Sequence, residues 1–511
     1  MNRTKLRIIS ALICFLAAFS SFAGCKKEPP KEQTIIPEGY TALNIGESNG
    51  VKTEGYGVQW DTHIYKAYNS MSEAEMAEFY KRVEDMNVQT IRTQVFPEWF
   101  ERGNDNDDYN VFDYESSSVD MNSIEMTQLY TLLDYCEKHG ITVDLSFYGC
   151  CAIYESQDGK IIGSWLGAPY TKNWITSPKL KDEKGNDFPG LDEYAENVWA
   201  LLNYLLNVKK YTCVTEFSVY PEPNLSYVTA DGCVDHAEYV SLIKKIDARL
   251  KKEGIRGRIV FSGPATALQS VMGLNIYIND LNDVFDKYTI SSYSYDDKDS
   301  NSTLYDYGDA LSGLISDTGK TFSLAEFGSK NVEDSANQTD IDTYQRALFI
   351  ARYMINLTNA GCAGMKYWEV CDMMYGSFMM NLGLWKFRKD NFVARPQYYT
   401  WSLIMKYTDI GSEVYPITTD VSGNTDLVAV AFKLPDGKWT YVACNTGSST
   451  QKISFVNEKD GKPSKMNVYE VRASKCDGTC SPIEASSEIT RENNTISLKV
   501  FANSFVVLSE R

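Results

Sequence analysis

VTEFSVYPEPNLSY, residues 214–227, is an apolar and β-branched run that halts at two prolines with a glutamate between them. Such a run marks a buried strand. Proline brings no amide hydrogen to a ladder and fixes its own φ, so the strand ends here in a stiff turn. Taken alone, the turn admits two readings. Glu222 is either a solvated acid beside a strand stop or a carboxyl group held rigidly toward a ligand, and its neighbours along the chain decide between them.

From about residue 51, short β-branched or aromatic runs alternate with longer amphipathic segments eight times. The strand candidates are GYGVQW (55–60), VQTIRTQVF (88–96), ITVDLSFYG (141–149), CVTEFSVY (213–220), GRIVFSG (257–263), YTISSYSY (288–295), TFSLAEFG (321–328) and GMKYWEV (364–370). Helix signals lie between them. Ser72 is placed to cap one helix, Gly140 to stop another, Asp235 and Gly254 to bound a third, and Gly361 to end a fourth. The last helix of the series spans 395–409. This alternation predicts an α/β chain with a (β/α)8 TIM barrel. Beyond it the texture changes to short alternating runs such as LVAVAFKLPDGKWTYVACN and TISLKVFANSFVVLS, which predict a C-terminal β-sandwich domain.

In such a barrel the C-terminal ends of the strands converge on one mouth. Glu222 follows the fourth strand and Glu326 ends the seventh. They are 104 positions apart, three units of about 35 residues each, so both are expected to face one cavity. Two carboxyl groups about 5–5.5 Å apart across a glycosidic bond perform retaining hydrolysis, one as nucleophile and the other as acid and then base. Arg92, at the end of the second strand, is expected to keep Glu326 ionised. Glu222, framed by prolines and by Tyr220 and Tyr227, is expected to be the acid. Trp60, Asp61 and His63 follow the first strand and are candidates for the mouth, with a self-capped loop as the alternative. Trp165 and Trp174 lie in a loop of roughly forty residues after the third strand, either stacking on sugar rings or packing the loop. Glu216 lies six residues deeper than Glu222 and reads as a paired interior acid.

PEPNL (221–225) and AEFG (325–328), after strands four and seven, resemble the clan A glycoside hydrolases, families 39, 5 and 30 above all, over about residues 50–407. The resemblance implies a retaining β-glycosidase with Glu222 as acid/base and Glu326 as nucleophile. It also implies that Arg92 is the clan's strand-two arginine, that Tyr295 hydrogen-bonds the nucleophile, and that Trp368 floors the sugar site. Two positions depart from the pattern. Pro221 stands where the clan has an asparagine that binds the sugar 2-hydroxyl, and Tyr293 stands in place of a strand-six histidine. Asn224 is either a substitute for the lost contact or a turn residue. The departures keep a second reading open, a non-catalytic glycan-binding protein on a degenerate glycosidase barrel.

Composition narrows the partners. The chain has 511 residues, a net charge of −18 and three histidines, with no basic run beyond the N-terminus, which argues against nucleic acid. Residues 1–24 (MNRTKLR, IISALICFLAAF, then small residues) read as an export signal, and AGC resembles a bacterial lipobox with Cys25 as the lipidated residue. Their removal takes away three cations and no acid, so −18 becomes −21. Residues 25–40 read as a tether, 41–409 as the catalytic barrel and 410–511 as the sandwich, with 41–48 expected to add a strand to it. The chain is thus expected at a bacterial cell surface, touching the membrane only through a lipid anchor. No cofactor or metal is called for, because the histidines are scattered and no Cys-x-x-Cys pair occurs. Cys476 and Cys480, in CDGTC, are candidates for a small disulfide.

Overall fold

The computed structural model describes residues 34–511 apart from 102–104, 107, 149–152, 156–160, 164–189, 225–235, 268–270, 331–339, 377, 418–425 and 461–463. The leader with Cys25, most of the tether, Trp165, Trp174, Tyr227 and Asp235 therefore lie outside the described residues.

Eight parallel strands close a barrel in chain order: β1 (Gly55–Gln59), β2 (Thr90–Val95), β3 (Thr142–Phe147), β4 (Val214–Val219), β5 (Val260–Ala267), β6 (Lys287–Ser292), β7 (Phe322–Phe327) and β8 (Cys362–Tyr367). β8 returns to β1, with Gly364 opposite Gly55. After the strands come α1 (Glu73–Met86), α2 (Ile124–His139), α3 (Gly190–Asn203), α4 (His236–Lys252), α5 (Asn275–Leu281), α6 (Asn301–Ile315), α7 (Tyr344–Asn359) and α8 (Pro396–Tyr407). Local chemistry sets the helix ends. Ser72 and Glu75 form a reciprocal capping box on α1, and Ser123 caps α2, which stops at Gly140 with φ 69°. β5 runs four residues past the expected stop at Gly263. The pairing with β6 slips between Pro264 and Thr266, and a slip of this kind is where a strand accommodates proline.

The barrel interior holds a closed ionic cluster. Lys287 of β6 reaches Glu216 of β4 (2.8 Å) and Glu54 (2.7 Å), while Lys366 of β8 reaches Asp144 of β3 (3.0 Å) and lies 3.6 Å from Glu216. Burial works to raise the Glu216 carboxyl, but the two ammonium groups outweigh it and hold the pKa at about 2.

The C-terminal sandwich comprises β9 (Glu413–Ile417), β10 (Leu427–Lys433), β11 (Trp439–Asn445), β12 (Gln451–Val456), β13 (Ser464–Val471), β14 (Ser487–Arg491), β15 (Thr495–Val500) and β16 (Ser504–Ser509). Six of these form an antiparallel sheet in the order β9-β10-β11-β16-β13-β14. The other sheet is β12 and β15, completed by Thr41–Asn44, which runs parallel to β12 with Thr41 opposite Ile453. Leu43, Trp439, Tyr441, Phe455 and Ile496 share the core between the sheets. α7 joins the two bodies. It is buried on every side from Arg346 to Thr358, and Asn359 Nδ2 donates to the Ala429 carbonyl of β10 (2.9 Å).

The expected disulfide does not form, for Cys476 and Cys480 are free thiols. Cys480 is buried in the barrel-side core, and Cys476, partly buried against the same core, turns its Sγ to the Arg472 carbonyl (3.5 Å). Burial pushes both thiols up to about 12. Among the described residues, no helix is long and apolar enough to cross a membrane.

Candidate active site

Glu326 lies one residue before the end of β7 and is 4% exposed. The register of β7 against β6 slips between Leu324 and Glu326, and a bulge of this kind re-aims the side chain that follows it. Arg92 of β2, fully buried, donates from Nη1 to Glu326 Oε1 (2.5 Å) and to Gln59 Oε1 (3.0 Å), and from Nη2 to Ser146 Oγ (2.8 Å). The Tyr293 hydroxyl donates to Glu326 Oε2 (3.2 Å). Burial pushes the Glu326 pKa above the ordinary carboxylate range, against the pull of Arg92 and of both hydrogen bonds. Protonating Glu326 would strip a fully buried guanidinium of its direct counter-ion, so the pair stays ionised near neutrality.

Glu222 sits just beyond β4 in a backbone that alternates Tyr220 (φ 52°), Pro221, Glu222 (φ 54°) and Pro223. Positive φ is uncommon for side-chain-bearing residues and costs on the order of 1–3 kcal/mol at each position. Proline on either side removes the softer alternatives. The Glu222 amide is fastened to the Ala265 carbonyl of β5 (3.0 Å), and the residue is 5% exposed. Two phenols sense both glutamates. Burial first, then the charges of Glu326 and Glu222, push the Tyr293 pKa well up. Tyr148, directly after β3, is likewise raised by burial and by Glu326, Asp61 and Glu222, with Arg92 opposing.

A second carboxyl pair stands beside Trp368. The Tyr375 hydroxyl lies 2.6 Å from Asp61 Oδ2 and 2.8 Å from Glu369 Oε2. A phenol has one proton to give, so the second contact requires a protonated carboxyl. Asp61 already accepts from Gln59 Nε2 (2.8 Å) and the Gln94 amide (2.7 Å), which suits its charged form. Glu369 is fully buried, and burial pushes its pKa well above the ordinary value, so Glu369 holds the proton and donates it to the Tyr375 oxygen. Trp368, 5% exposed, packs with Tyr293 and Tyr375. The His63 ring lies 4.4 Å from that of Tyr375 and is neutral, burial having lowered its pKa to about 3.

The structure thus brings Arg92, Tyr293 and Glu326 into direct contact, sets Glu222 where its charge acts on the phenols of Tyr293 and Tyr148, and leaves Trp368 and His63 along the adjoining wall. Three other candidates are placed differently. Trp60 turns away from the mouth and packs on Phe79, Tyr80 and Tyr135 in the helical layer, because Gln59 takes the inward position. Tyr295 does not reach the nucleophile position, since its ring packs against Tyr307 and Tyr353 and Tyr293 supplies the hydroxyl instead. Asn224 is clasped to Ala267, its Nδ2 donating to the carbonyl (2.7 Å) and its Oδ1 accepting from the amide (3.1 Å), which makes it a turn residue. Sequence reading did not single out Tyr148, Glu369 or Tyr375, although the segment 371–385 that holds Tyr375 is a candidate wall of the cleft. Tyr148 stood at a strand end, where the convergence rule points to it; the other two depend on a folded-back loop.

No family model matches the chain, and a search of curated proteins returns no match. Solved structures are similar over nearly its whole length. They include a GH30 endoxylanase from Clostridium papyrosolvens C71 at 15% identity, covering 92% of this chain and 98% of that one with a TM-score of 0.60. A GH39 enzyme from Xanthomonas axonopodis pv. citri matches at 13% identity, 93% and 99% coverage and a TM-score of 0.59. A GH51 α-L-arabinofuranosidase from Thermotoga petrophila RKU-1 matches at 14% identity, 92% and 99% coverage and a TM-score of 0.60. The chain has the fold of the clan A glycoside hydrolases, a (β/α)8 barrel followed by a β-sandwich. At these identities the likeness establishes the fold, and the chemistry must be argued from the chain's own side chains.

Proposed function

We propose that the chain is a retaining glycoside hydrolase acting on β-linked oligo- or polysaccharides, with Glu326 as nucleophile and Glu222 as acid/base. The observation that carries this reading is the pairing of Glu326 with Arg92 and Tyr293 at the end of β7, while Glu222 is fixed by its turn at the end of β4. Arg92 keeps Glu326 charged for attack on the anomeric carbon. Tyr293 steadies the carboxylate oxygen in the ground state and is freed to follow the ring as the ester forms. Glu222 donates its proton to the departing oxygen, then takes one from the water that opens the glycosyl-enzyme. Neither step requires a cofactor. The similarity to GH30, GH39 and GH51 structures supports a carbohydrate substrate. A lipid anchor at Cys25 would hold this activity at a bacterial cell surface.

The test is a panel of aryl β-glycosides and β-linked polysaccharides. On any substrate that is cleaved, Glu326→Gln is expected to lower kcat by several orders of magnitude with the fold intact, because an amide forms no glycosyl ester. Glu222→Ala is expected to recover with azide on an activated aryl glycoside, giving a β-glycosyl azide. Oligosaccharide binding with no cleavage of any panel member would replace the enzyme by a glycan-binding protein.

A further inference from the structure

Away from the mouth, three carboxylates converge between the loop after β2 and helix α3, and the charges of all three act on a fourth, Glu101. Asp105, Glu193 and Glu196 each bring an oxygen within 4.8 Å of the others, and Glu193 and Glu196 are each 1% exposed. Glu101 is also 1% exposed. An acidic cluster alone is no site, but here neutral and charged acceptors are left over in its interior. Glu101 uses Oε2 on the amide of Asn197 (2.7 Å) and has no donor at Oε1. Asn197, fully buried, has none at Oδ1. Asp105 Oδ2 accepts from the Asp113 amide, and Oδ1 is again without a donor. The positive group that faces the cluster is Arg249, whose Nη2 stands 3.6 Å from Glu196 Oε1, too far for a hydrogen bond. Its guanidinium is committed to the Tyr109 and Asn110 carbonyls and stacked 4.3 Å over Trp199.

We propose that Asp105, Glu193 and Glu196 bind one calcium ion, with Glu101 and the Asn197 side-chain carbonyl beside it, and that the ion fastens the loop after β2 to helix α3. The donors are all oxygen, with no imidazole or thiolate among them, which suits a hard cation. Calcium–oxygen bonds of about 2.4 Å put opposite ligands about 4.8 Å apart, so three oxygens within 4.8 Å of one another can share one ion. Burial pushes the Glu196 carboxyl up to about 8, a cost that a bound cation would offset.

The experiment uses the full chain, stripped with chelator and titrated calorimetrically with CaCl2, with melting followed by circular dichroism in chelator and in millimolar calcium. The wild type is expected to bind one Ca2+ per chain and to gain on the order of 5 °C in Tm, with a smaller gain from MgCl2. Glu196→Gln, which removes a buried charge and keeps the shape, is expected to melt no lower than wild type in chelator yet to lose at least tenfold in calcium affinity. Asp105→Asn, in the loop, is expected to lose affinity likewise. Absence of a calcium stoichiometry together with equal Tm in calcium and chelator would overturn the proposal. So would an undiminished calcium shift in both variants, which would place the ion elsewhere.

Discussion

Tyr293 and Tyr295 stand two positions apart and are equally aromatic, yet only Tyr293 touches Glu326. A hydrogen bond to a charged acceptor contributes about 1.5–3 kcal/mol. Tyr293→Phe is therefore expected to lower kcat/KM by roughly 10- to 100-fold, while Tyr295→Phe, whose ring packing survives, should stay within about twofold. Steady-state kinetics on one cleaved glycoside checks both, and equal losses would return the role to a shared network. The strand period could not separate the two tyrosines, because both follow the last paired residue of β6, Ser292, where alternation no longer dictates direction. Within a strand it does. Gln59 lies opposite Arg92 across the β1–β2 ladder and shares the interior with it, so Trp60 next to it must face the helices. Glu222, Glu326 and Arg92 were legible because strand ends converge whatever the loops do. Glu369 and Tyr375 were not, since their meeting with Asp61 depends on the hairpin Met373–Tyr375 with Phe378–Met380 folding back over the mouth.

Four barrel strands, β3, β4, β6 and β8, are bound at their interior by Asp144, Glu216, Lys287 and Lys366, and Glu216 touches both lysines. Removing one partner of a buried pair strands the other charge. Glu216→Gln is expected to cost about 3 kcal/mol at neutral pH, read as a lowered urea midpoint with an unchanged slope. The sign with pH follows from the depressed pKa. Glu216 contributes its stability above the unfolded carboxylate range, about 4.3, and loses it as pH falls through about 2. The gap between wild type and variant should therefore close on acidification. A constant gap down to pH 2 would mean that the loss comes from packing. The strands themselves were readable from their apolar runs, but not where they stop. β5 continues through Pro264, past the expected stop at Gly263, because its pairing with β6 slips there.

At the scale of the molecule, the sandwich covers what the barrel cannot keep dry. α7 has no solvent face between Arg346 and Thr358, one side lying on the barrel and the other under β10 and β11. A chain ended after Asp409 is expected to expose that second side and to form aggregates by light scattering, and a monodisperse truncated barrel would show that the sandwich is dispensable. Among the described residues, two opposed sets of buried or half-buried acids occur. Glu216 is stabilising when charged, whereas burial raises Glu101, Asp105, Glu196 and Glu369, which are stabilising when neutral. A raised folded pKa means that the contribution is complete below about 4.3 and is lost as pH climbs through the folded value, which for Glu196 is about 8. Rising pH also completes the net charge of −18, whose self-repulsion acts in the same direction. In chelator, then, Tm is expected to be highest in mild acid and to fall from about pH 5 to about pH 8, between the unfolded carboxylate value and the folded value of Glu196. Glu369→Gln should flatten part of that fall, since an amide offers Tyr375 the same donor at every pH. A Tm that is level or rises across the interval would mean that these acids are already ionised in the folded chain, and that some cation or hydrogen-bond donor faces them.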